Sequence, residues 1–105
     1  MAQGAHPELR MLYHIPNEGK RSRKTGARMR AEGLKKGVPD LCLPVGRCGK
    51  HGLYIELKRS TGGRLSEAQS DWLDRLMAEG YGVAVCHGWE DAAQVIERYL
   101  EGEAY

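Results

Sequence analysis

Two acids and a lysine stand out in the stretch GVPDLCLPVGRCGKHGLYIELKR, residues 37–59: Asp40, Glu56 and Lys58. They sit in two apolar runs, PDLCLPV at 39–45 and GLYIELKR at 52–59, and the intervening GRCGKH reads as the turn of a β-hairpin. Paired positions in an antiparallel hairpin share a constant sum of residue numbers, so a turn centred near Cys48 sets Asp40 opposite Glu56. Directly opposed residues bring their Cβ atoms about 5 Å apart. Two carboxylates at that spacing repel, and a proton or a cation between them removes the conflict. Hard divalent ions such as Mg²⁺ and Mn²⁺ prefer such oxygen donors. Strand alternation then puts Glu56 and Lys58 on one face and points Leu57 into the core. From there Lys58 could hold a water or offset charge growing on a phosphate, which is the equipment for phosphodiester hydrolysis. An E-x-K triplet alone is commonplace on solvated strands. The Pro39-Asp40 pair at hairpin distance, between apolar runs that predict burial, separates this one from that background, although a one-residue slip would turn every side chain over.

These residues need a scaffold, and the rest of the chain supplies its elements. LRMLYHI, 9–15, reads as a first strand, stopped by Pro16 and the turn PNEG. KRSRKTGARMRAEG, 20–33, reads as a basic helix ending at Gly33. SEAQSDWLDRLMAEG, 66–80, is a helix with Ser66 as N-cap and an apolar face of Ala68, Trp72, Leu73, Leu76 and Met77. YGVAVCHG is apolar on both faces, as expected of a central strand covered by helices. Residues 89–100 form a last helix with Ala92, Val95, Ile96, Tyr99 and Leu100 on one side. The strand–helix–strand from 52 to 87 predicts parallel strands, and the whole an α/β fold with a mixed sheet in one domain of 105 residues.

Composition narrows the partners. Residues 1–50 carry 11 Lys and Arg against 4 Asp and Glu, a surplus of +7, whereas residues 51–105 carry 5 against 10, or −5. The basic half includes Lys20, Arg21, Arg23, Lys24, Arg28, Arg30, Lys35 and Lys36, with Glu32 as the one acid among them. Such a run can be a solubilising helix face, but its uncompensated repulsion favours a polyanion, and nucleic-acid phosphates fit. Aromatic residues are 7% of the chain and phenylalanine is absent, so backbone and shape recognition are expected rather than base stacking. Asn17 serves a DNA contact or the turn equally well. His14, His51 and His87 lack an acid partner at a telling spacing, and Trp72 and Trp89 are assigned to the core or to a dimer interface. Three cysteines, none in a C-x-x-C pair, argue for a reducing compartment and against a zinc site. Cys42 and Cys86 read as small core residues and Cys48 as a turn residue. With neither an apolar span nor a leader in view, a soluble cytoplasmic protein is expected.

Pro39, Asp40 and then Glu56-Leu57-Lys58 match the PD-(D/E)XK nuclease pattern. More narrowly, HIPNEGKRS, GVPDLCLPV, GLYIELKR and LSEAQSDWLDRLMAEGYGVAVCHGWEDA, in this order and spacing, resemble a stand-alone VRR-NUC domain, the virus-type replication-repair nuclease module of phages and bacteria. The resemblance implies a PD-(D/E)XK nuclease-like mixed central sheet flanked by helices. It also implies a Mg²⁺- or Mn²⁺-dependent, structure-selective endonuclease, similar to homodimeric Holliday junction resolvases. By motif, Asp40, Glu56 and the Leu57 carbonyl would bind the metal and Lys58 would orient or activate the water. Gln69 would support the site; it also completes a capping box, Ser66-x-x-Gln69, and the two roles weigh equally. One departure concerns a further glutamate that the family carries before its first strand. Glu8 is the only acid upstream of the first apolar run, so the site works without that acid, or uses Glu8, or belongs to a trimmed fold. The alternative to an endonuclease is a module that binds branched DNA with weak or no cleavage. A sequence-specific restriction-type enzyme lacks an added recognition segment, and a small-molecule enzyme lacks a cofactor loop or nucleophile motif.

Overall fold

The computed structural model describes residues 6–16, 36–59 and 63–105. The expected basic helix at 20–33 and Asn17 lie outside those residues. In chain order the elements are a 3₁₀ turn, Pro7–Met11; strands β1, Tyr13–His14, β2, Leu41–Leu43, and β3, Leu53–Lys58; helix α1, Glu67–Ala78; strand β4, Gly82–His87; and helix α2, Trp89–Leu100. They build one four-stranded sheet in the order β1-β2-β3-β4. Strand β2 runs antiparallel to β1 and to β3, while β4 lies parallel to β3, which α1 connects to it.

The hairpin has the register read from the sequence. Leu41 pairs with Ile55, Cys42 with Tyr54 and Leu43 with Leu53. At its tip Cys48 and Gly49 both take positive φ, 55° and 72°, as a type I′ turn requires, and the Lys50 amide donates to the Arg47 carbonyl at 2.8 Å.

Two expected strands come out differently. The run at 9–15 is strand only at Tyr13–His14, because Pro7 starts a 3₁₀ turn: its ring fixes φ and its missing amide is an end donor anyway. The amides of Leu9 and Leu12 then bond three residues back, to His6 and Leu9. Among the described residues β4 is an edge strand, not a central one. Its two-sided apolar character comes from helices, since α1 and α2 both pack against it.

The core lies between the sheet and α2. Leu41, Leu43, Leu53, Ile55 and Cys86 point to one face and meet Ala92, Ile96, Tyr99 and Leu100 of the helix. Helix α1 covers the other face with Leu73 and Leu76; Met77, expected beside them, is 49% exposed. Neither tryptophan belongs to the core. Trp72 is half-buried and donates its indole N–H to the Lys36 carbonyl at 3.0 Å, and Trp89 is 61% exposed. Cys42 and Cys86 are buried and Cys48 exposed, all three as free thiols. No helix of the described residues is long and apolar enough to cross a membrane.

Candidate functional site

Alternation along β3 sends Leu53, Ile55 and Leu57 toward α2 and Tyr54, Glu56 and Lys58 toward α1. Glu56 is 2% exposed and Asp40 0%, a degree of burial that isolated carboxylates almost never reach. The hairpin ladder ends one pair short of them, at Leu41–Ile55. There the chain turns inward. The Asp40 amide donates to the Ile55 carbonyl at 3.0 Å, its carbonyl accepts from the Ile15 amide at 2.7 Å, and its carboxylate Oδ2 accepts from the Leu57 amide at 2.8 Å. Asp40 therefore docks against the strand residue that follows Glu56, instead of facing Glu56 as an ordinary cross-strand pair. Because Lys58 turns its carbonyl to β4, accepting from Gly88, the Leu57 carbonyl projects on the Asp40 side of β3.

The approach to Asp40 depends on Gly37. Its φ is +85°, and a Cβ there would stand 2.7 Å from the Ala68 backbone, so only glycine lets the chain pass the first turn of α1. Beside it, the Trp72 bond to the Lys36 carbonyl fastens the same segment to the helix.

Gln69 joins helix to site. Ser66 caps α1, its Oγ accepting from the Gln69 amide at 3.1 Å, and Gln69 Oε1 accepts from the Ser66 amide at 2.9 Å. The same Oε1 accepts from Lys58 Nζ at 2.6 Å, while Nε2 donates to Glu56 Oε2 at 3.2 Å. Lys58 Nζ lies 3.7 Å from that carboxylate oxygen. The cap bond and the contacts to Lys58 and Glu56 are thus made at once, and each end of the amide matches its partner's charge. Gln69, Leu73 and Leu76 recur at helical spacing, and that stripe faces the sheet. Gln69 is its first-turn member.

Glu8 is held elsewhere. It pairs with Arg47 in the hairpin loop, whose guanidinium also donates to the Leu100 and Gly46 carbonyls. Its carboxyl is held below the usual carboxylate range, first by backbone hydrogen bonding in its own turn and then by Arg47. The loop and the Asp40 end of β2 are opposite ends of the hairpin, so Glu8 does not join the acidic pair. Of the eight basic residues, Lys36 is exposed near the start of the Asp40 segment; Lys20, Arg21, Arg23, Lys24, Arg28, Arg30 and Lys35 lie outside the described residues. A groove of about 860 Å³ along the outer side of α1 carries Glu67, Asp71 and Asp74, which makes it a poor path for phosphates. His14 is exposed on β1 and His51 stands edge-on to Tyr81, 5.6 Å between ring centroids. His87, at the end of β4, is in register with Lys58.

In donor chemistry, Asp40, Glu56 and the Leu57 carbonyl each offer oxygen, the atom that hard divalent cations select. Lys58 adds a cation placed by its hydrogen bond to Gln69 and its ion pair with Glu56.

The family model described as VRR-NUC domain matches residues 3–90. A solved structure titled "VRR_NUC domain protein" superposes with a TM-score of 0.76 at 28% identity, covering 90% of this chain and 71% of that one. A search of curated proteins finds no match. The mixed sheet is compatible with the PD-(D/E)XK fold, and family membership implies a nuclease-type function and DNA binding. With 88 residues matched and the superposed fold in agreement, the chain belongs to the VRR-NUC domain family.

Proposed function

We propose that this domain is a metal-dependent, structure-selective DNA endonuclease that acts on branched DNA in the manner of a Holliday junction resolvase. The observation that carries the reading is the burial of Asp40 and Glu56 at one end of the hairpin, beside a lysine locked by Gln69. Asp40, Glu56 and the Leu57 carbonyl would hold Mg²⁺ or Mn²⁺, which when bound supplies Lewis acidity and a more acidic water. Asp40 keeps its place through the Leu57 amide, so the donor set is preorganised before DNA arrives. Lys58 offers its remaining N–H donors to the attacking water and to the phosphate oxygens, where negative charge grows. Gln69 holds Lys58 through Oε1 and Glu56 through Nε2, so one amide sets the spacing of the cation and the carboxylate.

The basic first half of the chain supplies a path for the DNA backbone, and the scarcity of aromatic residues favours recognition by shape. A homodimer would place two such sites on one four-way junction. The test is incubation with labelled four-way junction, flap and linear duplex DNA in Mg²⁺ or Mn²⁺. Cutting of the branched substrates that Glu56→Gln abolishes supports the reading; no metal-dependent cutting, or cutting that survives the substitution, rejects it. Sedimentation showing only monomer at micromolar concentration would reject the dimer.

One observation favours a second reading, a branched-DNA-binding module with weak or no cleavage. Glu8, the only acid before the first strand, is paired with Arg47, away from the site. Calorimetric titration with Mn²⁺ separates the two. The nuclease shows a site that Asp40→Asn removes, and the binding module shows none.

A further inference from the structure

The side of α2 that meets the sheet continues past the point where the sheet stops. Trp89, Ala92, Ile96 and Tyr99 recur at spacings of three and four, so they share one side of the helix. Ala92, Ile96 and Tyr99 are buried, whereas Trp89 is 61% exposed. Strands β3 and β4 end at Lys58 and His87, and the chain turns at Gly88, φ +94°, before the helix runs back. Trp89 therefore stands beyond the strand ends, where no strand covers it. We propose that Trp89 stacks on the base that a DNA branch point leaves uncovered, and that Arg59 and Arg64 hold the neighbouring phosphates. This inference rests on the nuclease reading and names the residues that distinguish branched from linear DNA.

Position is the first support. The Gly88 amide donates to the Lys58 carbonyl at 3.2 Å, and His87 Nδ1 lies 3.2 Å from the Arg59 carbonyl. Both contacts fasten the start of α2 to the strand end that carries Glu56 and Lys58. His87 is in register with Lys58, about 4.8 Å across the ladder, and two further residues add at most about 7 Å. Trp89 thus lies within about 12 Å of Lys58, the reach of three or four base steps of about 3.4 Å.

Charge is the second support. Residues 51–105 hold five Lys and Arg, and three of them, Lys58, Arg59 and Arg64, fall within seven positions. Gly63 brings the chain back onto the lysine: a Cβ there would stand 2.8 Å from Lys58 Cβ, so Arg64 follows a residue packed on the lysine stem. Both arginines are exposed. Among the described residues neither has a carboxylate within ion-pair distance, whereas Arg47 and Arg75 are paired with Glu8 and Asp71. Open guanidinium groups in an otherwise acidic half suit phosphate. Of the acids next to Trp89, Asp91 accepts from the His87 amide at 2.9 Å and Glu90 is exposed, which favours an uncharged base face over a phosphate at the indole.

Stacking also fits recognition by shape. Every base has a π-face, so one indole meets whatever pair an open branch point presents and finds nothing to cover in continuous duplex.

The experiment measures the affinity of the full chain for a labelled four-way junction and for linear duplex, with Ca²⁺ in place of Mg²⁺, together with tryptophan emission. Junction binding should quench part of the wild-type emission, and Trp89→Phe should abolish that quenching while keeping most of the affinity. Trp89→Ala should bind the junction about 10- to 100-fold more weakly and the duplex as the wild type does. The double substitution Arg59→Ala, Arg64→Ala should weaken both DNAs alike, with a salt dependence shallower by about 1.8, two phosphate contacts. A Trp89→Ala protein with the wild-type preference for the junction, quenching that survives Trp89→Phe, or an unchanged salt slope in the double variant overturns the inference. So does a wild-type dimer that Trp89→Ala converts to monomer, which assigns the indole to a second copy of the chain. Wild-type protein without any preference for the junction would overturn the structure-selective reading itself.

Discussion

Replacing Gln69 separates a helix cap from a site residue, because Ser66 shares only the first of those roles. Ser66→Ala removes the Oγ that accepts from the Gln69 amide and leaves the Gln69 side chain in place. Loss of such a cap costs about 1 kcal/mol. Gln69→Ala removes the reciprocal cap bond and also strips a donor from buried Glu56 and an acceptor from Lys58. Hydrogen bonds to charged groups contribute about 1.5–3 kcal/mol each, and the lysine is partly exposed, so a total of about 2–4 kcal/mol is expected. With a urea m-value of about 2 kcal/mol/M, the unfolding midpoint should drop by roughly 0.5 M for Ser66→Ala and roughly 1–2 M for Gln69→Ala. Cleavage should survive the first substitution and fall about 10- to 100-fold with the second. Gln69→Glu sharpens the comparison. It keeps an acceptor for Ser66 and Lys58 but sets a second carboxylate against Glu56 Oε2, so the loss of stability should be partly recovered by millimolar Mg²⁺ or Mn²⁺. Equal midpoints for Ser66→Ala and Gln69→Ala, together with equal activities, would reduce Gln69 to a cap and refute the reasoning.

Three further outcomes follow from the packing. Gly37→Ala, which must place a Cβ against the Ala68 backbone at positive φ, should lower stability by about 1–3 kcal/mol and disturb cleavage by moving Asp40; an unchanged urea midpoint would contradict this. Tyr99→Phe leaves the buried Val45 carbonyl and the Arg47 amide without the phenol oxygen they share, and should cost about 1–3 kcal/mol in thermal unfolding with no effect on cleavage. Burial, and secondarily Asp91, pushes the Cys86 thiol up to about 11 from its ordinary 9.0, so its contribution to stability is complete below pH 9 and is lost as pH rises toward 11. At pH 8 a thiol reagent should therefore label exposed Cys48 and spare Cys86 until the protein unfolds, as peptide mapping of the label would show.

What the sequence determined by itself follows from short-range rules. Alternation in β3 fixed which side Glu56 and Lys58 share, the constant-sum register of the hairpin placed Asp40 at their end, and Ser66 and Gly80 bounded the region of α1. Each depends on neighbours within a few residues or on a single turn, so the local pattern suffices. The tertiary structure decided what the chain path brings together. Asp40 leaves the ladder to take the Leu57 amide, because Gly37 and the Trp72 contact pull that segment against α1. Glu8 was the one acid before the first strand that the sequence offered to the pair, yet Arg47 holds it at the far end of the hairpin. Two-sided apolar character placed β4 at the centre of the sheet, whereas helices cover both faces of an edge strand equally well. Gln69 carried two signals that the sequence could not rank, and in the fold its one amide makes both the cap bond and the contacts to Lys58 and Glu56. A single amide near a helix start reaches the cap, the lysine and the acid only once α1 lies across β3.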